Sequence, residues 1–279
     1  MSASEYKIVC RNLWKVFGIG VRQFMADRAG KPSDESLRQA GLLAAVKGVD
    51  LEVRAGQTLA IMGMPGSGKS TLIRCLSRLV EISAGQILLD GEDLASADEL
   101  QMNEFRRRRM GMLSQGFTLP RHLSVLRNVS FPLEILGVEG GQRLARAKAL
   151  IELVGLSGKE DFLPGQLADA ERQRVGIARS LAVEPELWFL DQPFSRLDRS
   201  TRLQMQEEFL RLKDAVDTTI ILATDDIEEA IRLADQLAIM KDGAVIQVDT
   251  PERILSRPAN GDIAALLRQS PGTRKAEVA

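Results

Sequence analysis

The nine residues Gly63-Met-Pro-Gly66-Ser67-Gly68-Lys69-Ser70-Thr71 constrain this 279-residue chain more than any other feature. They satisfy G-x-x-x-x-G-K-[ST], directly after an apolar run, Gln57–Met62, and before a run of helical period, Thr71–Leu79. That is the strand–loop–helix order in which such a loop works. Its glycines let the backbone curl until successive N–H groups face phosphate oxygens, and the helix that follows adds its positive end. Lys69 then reaches the β- and γ-phosphates, the Ser70 hydroxyl is placed to ligate Mg²⁺, and Thr71 adds a phosphate donor. The expectation is a nucleoside triphosphate site.

A P-loop site normally holds its Mg²⁺ through an acid at the end of a neighbouring strand, and Leu187-Trp-Phe-Leu190-Asp191 supplies one: four apolar residues, then a carboxylate. Two further runs, Thr219–Ala223 and Gln236–Met240, have the same length and character. Strands of this kind are buried on both faces, so the class is α/β with a largely parallel sheet. Between the first run, Gln57–Met62, and these last three, residues of about 98–183 are dominated by helical patterns, Val125–Leu136, Gln142–Val154 and Glu171–Val183, broken by a glycine- and proline-bearing loop at Gly155–Gln166. The tail, about 270–279, is polar and expected to lack order.

Composition narrows the function classes. With 37 Lys+Arg against 38 Asp+Glu the net charge is −1, so no overall field draws the molecule to nucleic acid or anionic lipid. The basic run Arg106–Arg109 has Glu99 and Glu104 beside it and reads as a solvated helix end, its cations near the last carbonyls. Two cysteines, Cys10 and Cys75, are too few for a disulfide framework and are expected to be buried thiols in a reducing cytoplasm. No basic stretch followed by an apolar one opens the chain and no run of about 18 apolar residues occurs, so neither export by that route nor a spanning helix is expected.

With these elements placed, the chain resembles the ATP-binding subunit of ABC transporters from Lys7 to about Arg268. Within that family it looks most like the ATPases of glycine betaine, proline betaine and choline importers. The strings QGFTLPRHLSVLRNV and RQRVGIARSLAVEPELWFLDQPFSRLD and the long segment Gly18–Val49 carry the resemblance. It implies one nucleotide-binding domain over 1–279, with a P-loop NTPase (RecA-like) core of mostly parallel sheet, an N-terminal antiparallel β subdomain and an inserted helical subdomain at about 98–183. It further implies ATP and Mg²⁺ as cofactors and a homo- or heterodimer packed head to tail, each ATP held between one subunit's P-loop and the other's signature segment. A transmembrane permease at the cytoplasmic face of the membrane is the implied partner, and indirectly a substrate-binding protein. Phe17 matches the aromatic that stacks on adenine, Gln115 the glutamine that touches Mg²⁺ and senses the membrane partner, and Ser195–Asp198 the loop that crosses the dimer interface. Ala168, Asp169 and Ala170 fall in the signature segment. Some relatives carry an osmosensing module after the ATPase; with the sequence ending at Ala279, none is expected here. A DNA-handling ATPase of the same superfamily is disfavoured, because no long coiled-coil insertion or zinc-ligand set lies between Lys69 and Asp191.

Three positions depart from the family pattern. After Asp191, where the family has the glutamate that polarises water, stands Gln192, which cannot accept a proton at neutral pH. Where the family has its switch histidine stands Asp225; the only histidine, His122, lies in the helical region. The signature, usually Leu-Ser-Gly-Gly-Gln, reads Leu167-Ala168-Asp169-Ala170-Glu171. Its serine is gone, and Asp169 and Glu171 would bring like charge toward a phosphate, at about 4 kcal/mol per unit pair 4 Å apart for an effective dielectric near 20. General-base loss alone costs about 10²- to 10⁴-fold. A homodimer is therefore expected to hydrolyse ATP poorly, unless Gln192 positions water while Asp225 or Asp226 acts as base. Two readings stay open: an importer subunit that retains some ATPase activity, and a nucleotide-binding subunit that docks on a permease and regulates it without appreciable turnover.

Overall fold

The computed structural model describes residues 5–94 and 96–268; the tail at 270–279 lies outside them. The chain divides into two compact units, residues 1–98 with 221–279, and residues 99–220. The first contains β1 (Tyr6–Phe17), α1 (Val21–Ala26), α2 (Asp34–Gln39), β2 (Leu43–Arg54), β3 (Thr58–Met62), α3 (Lys69–Leu76), β4 (Ala84–Leu89) and β5 (Glu92–Asp93). The second contains α4 (Glu99–Arg109), β6 (Met110–Leu113), α5 (Val125–Ile135), α6 (Gly140–Leu153), α7 (Asp169–Leu181), β7 (Leu187–Asp191) and α8 (Arg199–Ala215). The division falls within β8 (Thr219–Thr224), after which come α9 (Ile227–Leu233), β9 (Gln236–Lys241), β10 (Ala244–Asp249), α10 (Pro251–Ser256) and α11 (Gly261–Arg268).

One sheet is antiparallel, in the order β2-β1-β4-β5, and the other has the hydrogen-bonded order β10-β9-β3-β8-β7-β6. The pairs β3–β9 and β6–β7 are parallel, and β10 closes the edge antiparallel to β9. This is the α/β P-loop class with a separate antiparallel sheet. β3, β7 and β8 are buried at every residue, which is why their sequences are unbroken apolar runs rather than alternations.

The segment between β1 and β2 holds two six-residue helices, too short to persist alone. Met25 of α1 and Leu37 of α2 pack with Trp14 and Val16 of β1, joined by Val21, Phe24 and Leu42. Each fully buried side chain of this kind is worth about 1.5–3 kcal/mol, and Ser33 caps α2 by accepting from the Ser36 N–H at 3.2 Å.

Several boundaries differ from those read in the sequence, each through capping. α3 stops at Leu76 rather than Leu79, because the Ser77 hydroxyl bonds back to the Ile73 carbonyl at 2.9 Å and Arg78 turns to φ +53°. α6 starts at Gly140, two residues early, because the Glu139 carboxylate accepts from the Gly141 and Gln142 N–H groups. α7 starts at Asp169. The loop at 155–166 contains only a short 3-10 turn, Pro164–Gln166.

In the second unit, Ser124 caps α5 and the buried Asn128 donates to the Leu123 and Ser124 carbonyls at 2.8 and 3.0 Å, tying down the chain that leaves β6. Arg106–Arg109 form the last turn of α4: Arg108 pairs with Glu104, and Arg109 clasps Glu186 with two bonds of 2.9 and 2.8 Å. Both cysteines are buried and unbridged. No described helix is long and apolar enough to cross a membrane.

Candidate functional site

In the first unit, the fully buried β3 delivers the chain to Gly63, and α3 begins at Lys69. The loop between them is tightly packed. A Cβ at Gly63 would lie 2.2 Å from the Met240 carbonyl oxygen, and one at Gly68 would lie 2.2 Å from that of Ala45. Gly68 also has φ +103°, a conformation strained for any L side chain. At Gly66 a Cβ would meet nothing, so that corner of the loop is open. The backbone is braced from behind: Gly243 N–H donates to the Ser67 carbonyl at 3.0 Å, and Lys47 N–H to that of Gly243 at 2.8 Å.

Lys69 is 3% exposed, and its ammonium donates to the Gly63 and Met64 carbonyls at 2.7 and 3.0 Å, so the cation lies along the loop. The Ser67 hydroxyl is buried and has no hydrogen-bond partner among the described residues, an unmet polar atom inside a curl of backbone. Ser70 and Thr71 are half-buried in the first turn of α3. A cation, an unsatisfied hydroxyl and a helix N-terminus on a loop with room only for hydrogen at two glycines is a donor set that suits phosphate oxygens.

Phe17 ends β1 and is 42% exposed, with the Lys15 ammonium 4.8 Å from its ring centre; it is not a core residue. Its cross-strand partner is Leu43, 68% exposed. Asp225 follows β8 and is exposed. Asp226 is committed elsewhere, capping α9 by accepting from the Glu228 and Glu229 N–H groups at 2.9 and 3.2 Å, so of the two aspartates only Asp225 keeps its carboxylate for other chemistry.

In the second unit, Asp191 is the last residue of β7, 1% exposed. Gln192 follows with φ +50°, the left-handed region that costs a non-glycine residue about 1–2 kcal/mol. The turn is held by the Ser195 hydroxyl and N–H, which both donate to the Gln192 carbonyl, at 3.1 and 3.4 Å. Gln115, two residues past β6, donates its side-chain amide to the Gln192 Oε1 at 2.5 Å. These glutamines are 77 residues apart in sequence, and the structure brings them together.

The signature segment opens α7. Ala168 is the N-cap and offers no side-chain oxygen; instead the Glu171 carboxylate reaches back to accept from the Ala168 N–H at 2.9 Å and pairs with Lys159. The Lys159 bond and then the Ala168 N–H hold Glu171 below its ordinary carboxylate range. Asp169 pairs with Arg172, whose guanidinium also donates to the Leu167 carbonyl at 2.5 Å. Both carboxylates therefore carry a cation, which reduces the like-charge penalty expected from the sequence. Ser195 and Arg196 are exposed, and Asp198 caps α8, its carboxyl held low by bonds from the Thr201 and Ser200 hydroxyls and N–H groups. Sequence reasoning missed both contacts of Glu171: an acid three residues after an N-cap is the signal for its bond from the Ala168 N–H, while nothing in the sequence signals its pairing with Lys159.

The ABC transporter family model matches residues 46–195. The trimethylamine N-oxide transport ATP-binding protein TmoW of Ruegeria pomeroyi is 49% identical over 92% of this chain and 76% of that protein. The glycine betaine/proline betaine transport ATP-binding protein ProV of Escherichia coli is 38% identical over 94% of this chain and 66% of that protein. Among solved structures, a dimeric bacterial ABC transporter cassette aligns with TM-score 0.73 and 28% identity, covering 88% of this chain and 98% of that one. A dimeric ATP-binding cassette in a post-hydrolysis state bound to ADP and Pi aligns with TM-score 0.72 and 27% identity, over the same shares. The phosphate loop on β3 and α3, the acid closing β7 and this extent of similarity agree: the chain belongs to the ABC transporter family, as an ATP-binding domain.

Proposed function

We propose that the chain is the ATP-binding subunit of an ABC importer for small quaternary or N-oxide amines, of the glycine betaine, proline betaine, choline or trimethylamine N-oxide type. It works at the cytoplasmic face of a transmembrane permease, as a homo- or heterodimer, with a substrate-binding protein supplying cargo. The observation that carries the reading is the intact phosphate loop, whose glycines, Lys69 and unsatisfied Ser67 hydroxyl remain in a chain so similar to TmoW.

In this reading Phe17 stacks on the base, and the N–H groups of Gly63, Gly66, Ser67 and Gly68, with Lys69 and Thr71, bind the phosphates. Ser70, Gln115 and Asp191 hold the metal. Magnesium, when bound, neutralises charge on the β- and γ-phosphate oxygens. Ala168, Asp169 and Ala170 face the nucleotide of the opposing subunit. Purified with its permease in liposomes, the chain should drive MgATP-dependent uptake of labelled betaine or trimethylamine N-oxide. Absence of uptake of every amine tested, with a permease shown to be bound, would remove the importer reading.

A second reading is favoured by the Gln115–Gln192 bond: the residue at the water-activating position is an amide engaged with another amide, so the subunit binds nucleotide and regulates its permease with little turnover. Phosphate release from the same liposomes separates the two. Substantial turnover by the unmodified chain, which a Gln192→Glu, Asp225→His double variant does not raise further, would speak for an intrinsic activity and against the second reading.

A further inference from the structure

The end of β1 alternates between core and solvent. Val16 is buried in the cluster with Met25 and Leu37, while Lys15 and Phe17, two residues apart on a strand, share the outward face. The Lys15 ammonium donates to the Glu81 carbonyl at 2.7 Å and stands over the Phe17 ring, 4.8 Å from its centre. One face of the ring is thereby covered, and the surface that stays exposed is what a flat ligand can stack on. The cation also draws on the negative charge of the ring face, which lessens the repulsion that a second π face would meet on the other side.

The anchor of this cation lies in the seven residues, 77–83, that join α3 to β4. α3 begins at Lys69, so the same short connection that leaves the phosphate-loop helix holds Lys15. It grips β1 again at Ser83, whose N–H donates to the Trp14 carbonyl at 2.7 Å. The Ser83 hydroxyl accepts from the Val16 N–H at 3.0 Å and donates to the Val16 carbonyl at 3.2 Å. Residues 14, 15 and 16 are each strapped in this way. Pairing with β2 alone would hold them less firmly, because its register slips between Leu13 and Lys15 and again between Lys15 and Val16.

We propose that Lys15 is a positioning residue for the base of a bound nucleotide. It keeps Phe17 as a platform open on one face and, through Glu81, fixes that platform relative to the helix that carries the phosphate loop. The inference rests on the stacking role of Phe17 proposed above. Lys15 acts on the base end of the ligand, so affinity for a base-bearing triphosphate depends on it and affinity for a bare triphosphate does not.

The test is calorimetric titration of the full chain with MgATP and, separately, with magnesium and inorganic triphosphate. Lys15→Met keeps an unbranched stem and loses the charge. It should weaken MgATP binding about three- to tenfold and leave triphosphate binding unchanged, which also shows that the phosphate loop is still folded. Lys15→Arg, whose guanidinium stacks on aromatic faces, should restore part of the loss. Ser83→Ala loosens the strap and should weaken MgATP in the same direction, again without moving triphosphate.

Equal weakening of both ligands in Lys15→Met would mean a merely structural role and would overturn the proposal, as would an arginine variant no better than the methionine one. If the unmodified chain binds MgATP no more tightly than triphosphate, the stacking role of Phe17 falls and this inference falls with it. If MgATP binds more tightly and Lys15→Met leaves that margin intact, the nucleotide reading stands and this inference alone falls.

Discussion

Under the proposed function, residue 192 sits where one oxygen exchanged for an NH₂ changes the chemistry most. Its amide can hold a water but cannot take its proton, and its Oε1 is occupied by Gln115. Restoring a carboxylate with Gln192→Glu, together with Asp225→His, should raise steady-state phosphate release at least about tenfold in the assembled complex, since general-base catalysis alone contributes about 10²–10⁴. An unchanged rate would place the limiting defect elsewhere. The cysteines give a second expectation at this scale. Burial pushes the Cys10 thiol up to about 12 and Cys75 up to about 11, so neither forms thiolate at neutral pH. Iodoacetamide at pH 8 should leave the native chain unmodified and label both after unfolding; rapid labelling of the native chain would contradict the packing around them.

Among the elements, α7 has the most to gain from a small change. Its N-cap is Ala168, and Glu171 already supplies the other half of a capping box, so Ala168→Ser should stabilise the chain by about 0.5–2 kcal/mol, read as a higher denaturant midpoint. The Lys159 bond depresses Glu171 below its ordinary value of 4.5, so the stability it contributes is complete above that value and is lost as pH falls through the lower folded value. In Lys159→Met less stability should be lost on acidification and the loss should be complete at a higher pH, measured as melting temperature against pH; superimposable curves would show that the tie contributes nothing. The phosphate loop makes a graded prediction. Gly68→Ala, driven into the Ala45 carbonyl, should destabilise far more than Gly66→Ala, which meets open space and costs only the about 1–2 kcal/mol of a left-handed alanine.

Legibility in the sequence has the same physical basis. β3, β7, β8 and β9 are readable because strands buried on both faces must be apolar throughout. β1 and β2 do not show a clean alternation: their pairing slips at four places between Tyr6 and Val16, and each slip turns the side chains over. α1 and α2 are stabilised by packing with Trp14 and Val16 rather than by their own periodicity, so nothing local announces them. At the site, the phosphate loop and the acid after β7 have a fixed spacing imposed by the chemistry. The Gln115–Gln192 bond and the cation on Glu171 join residues far apart in sequence by side chains that carry no pattern.

For the whole molecule, the function proposed separates binding from turnover: the groups that suit phosphate are present on β3 and α3, while residues 168–171, 192 and 225 are the ones proposed to bear on closure and hydrolysis. The central claim is that the loop grips a nucleoside triphosphate regardless. Its most direct test is a calorimetric titration of the purified full-length chain with MgATP, beside the Lys69→Ala variant. A saturable heat in the former that disappears in the latter is predicted. No heat in either, or equal binding in both, would contradict it.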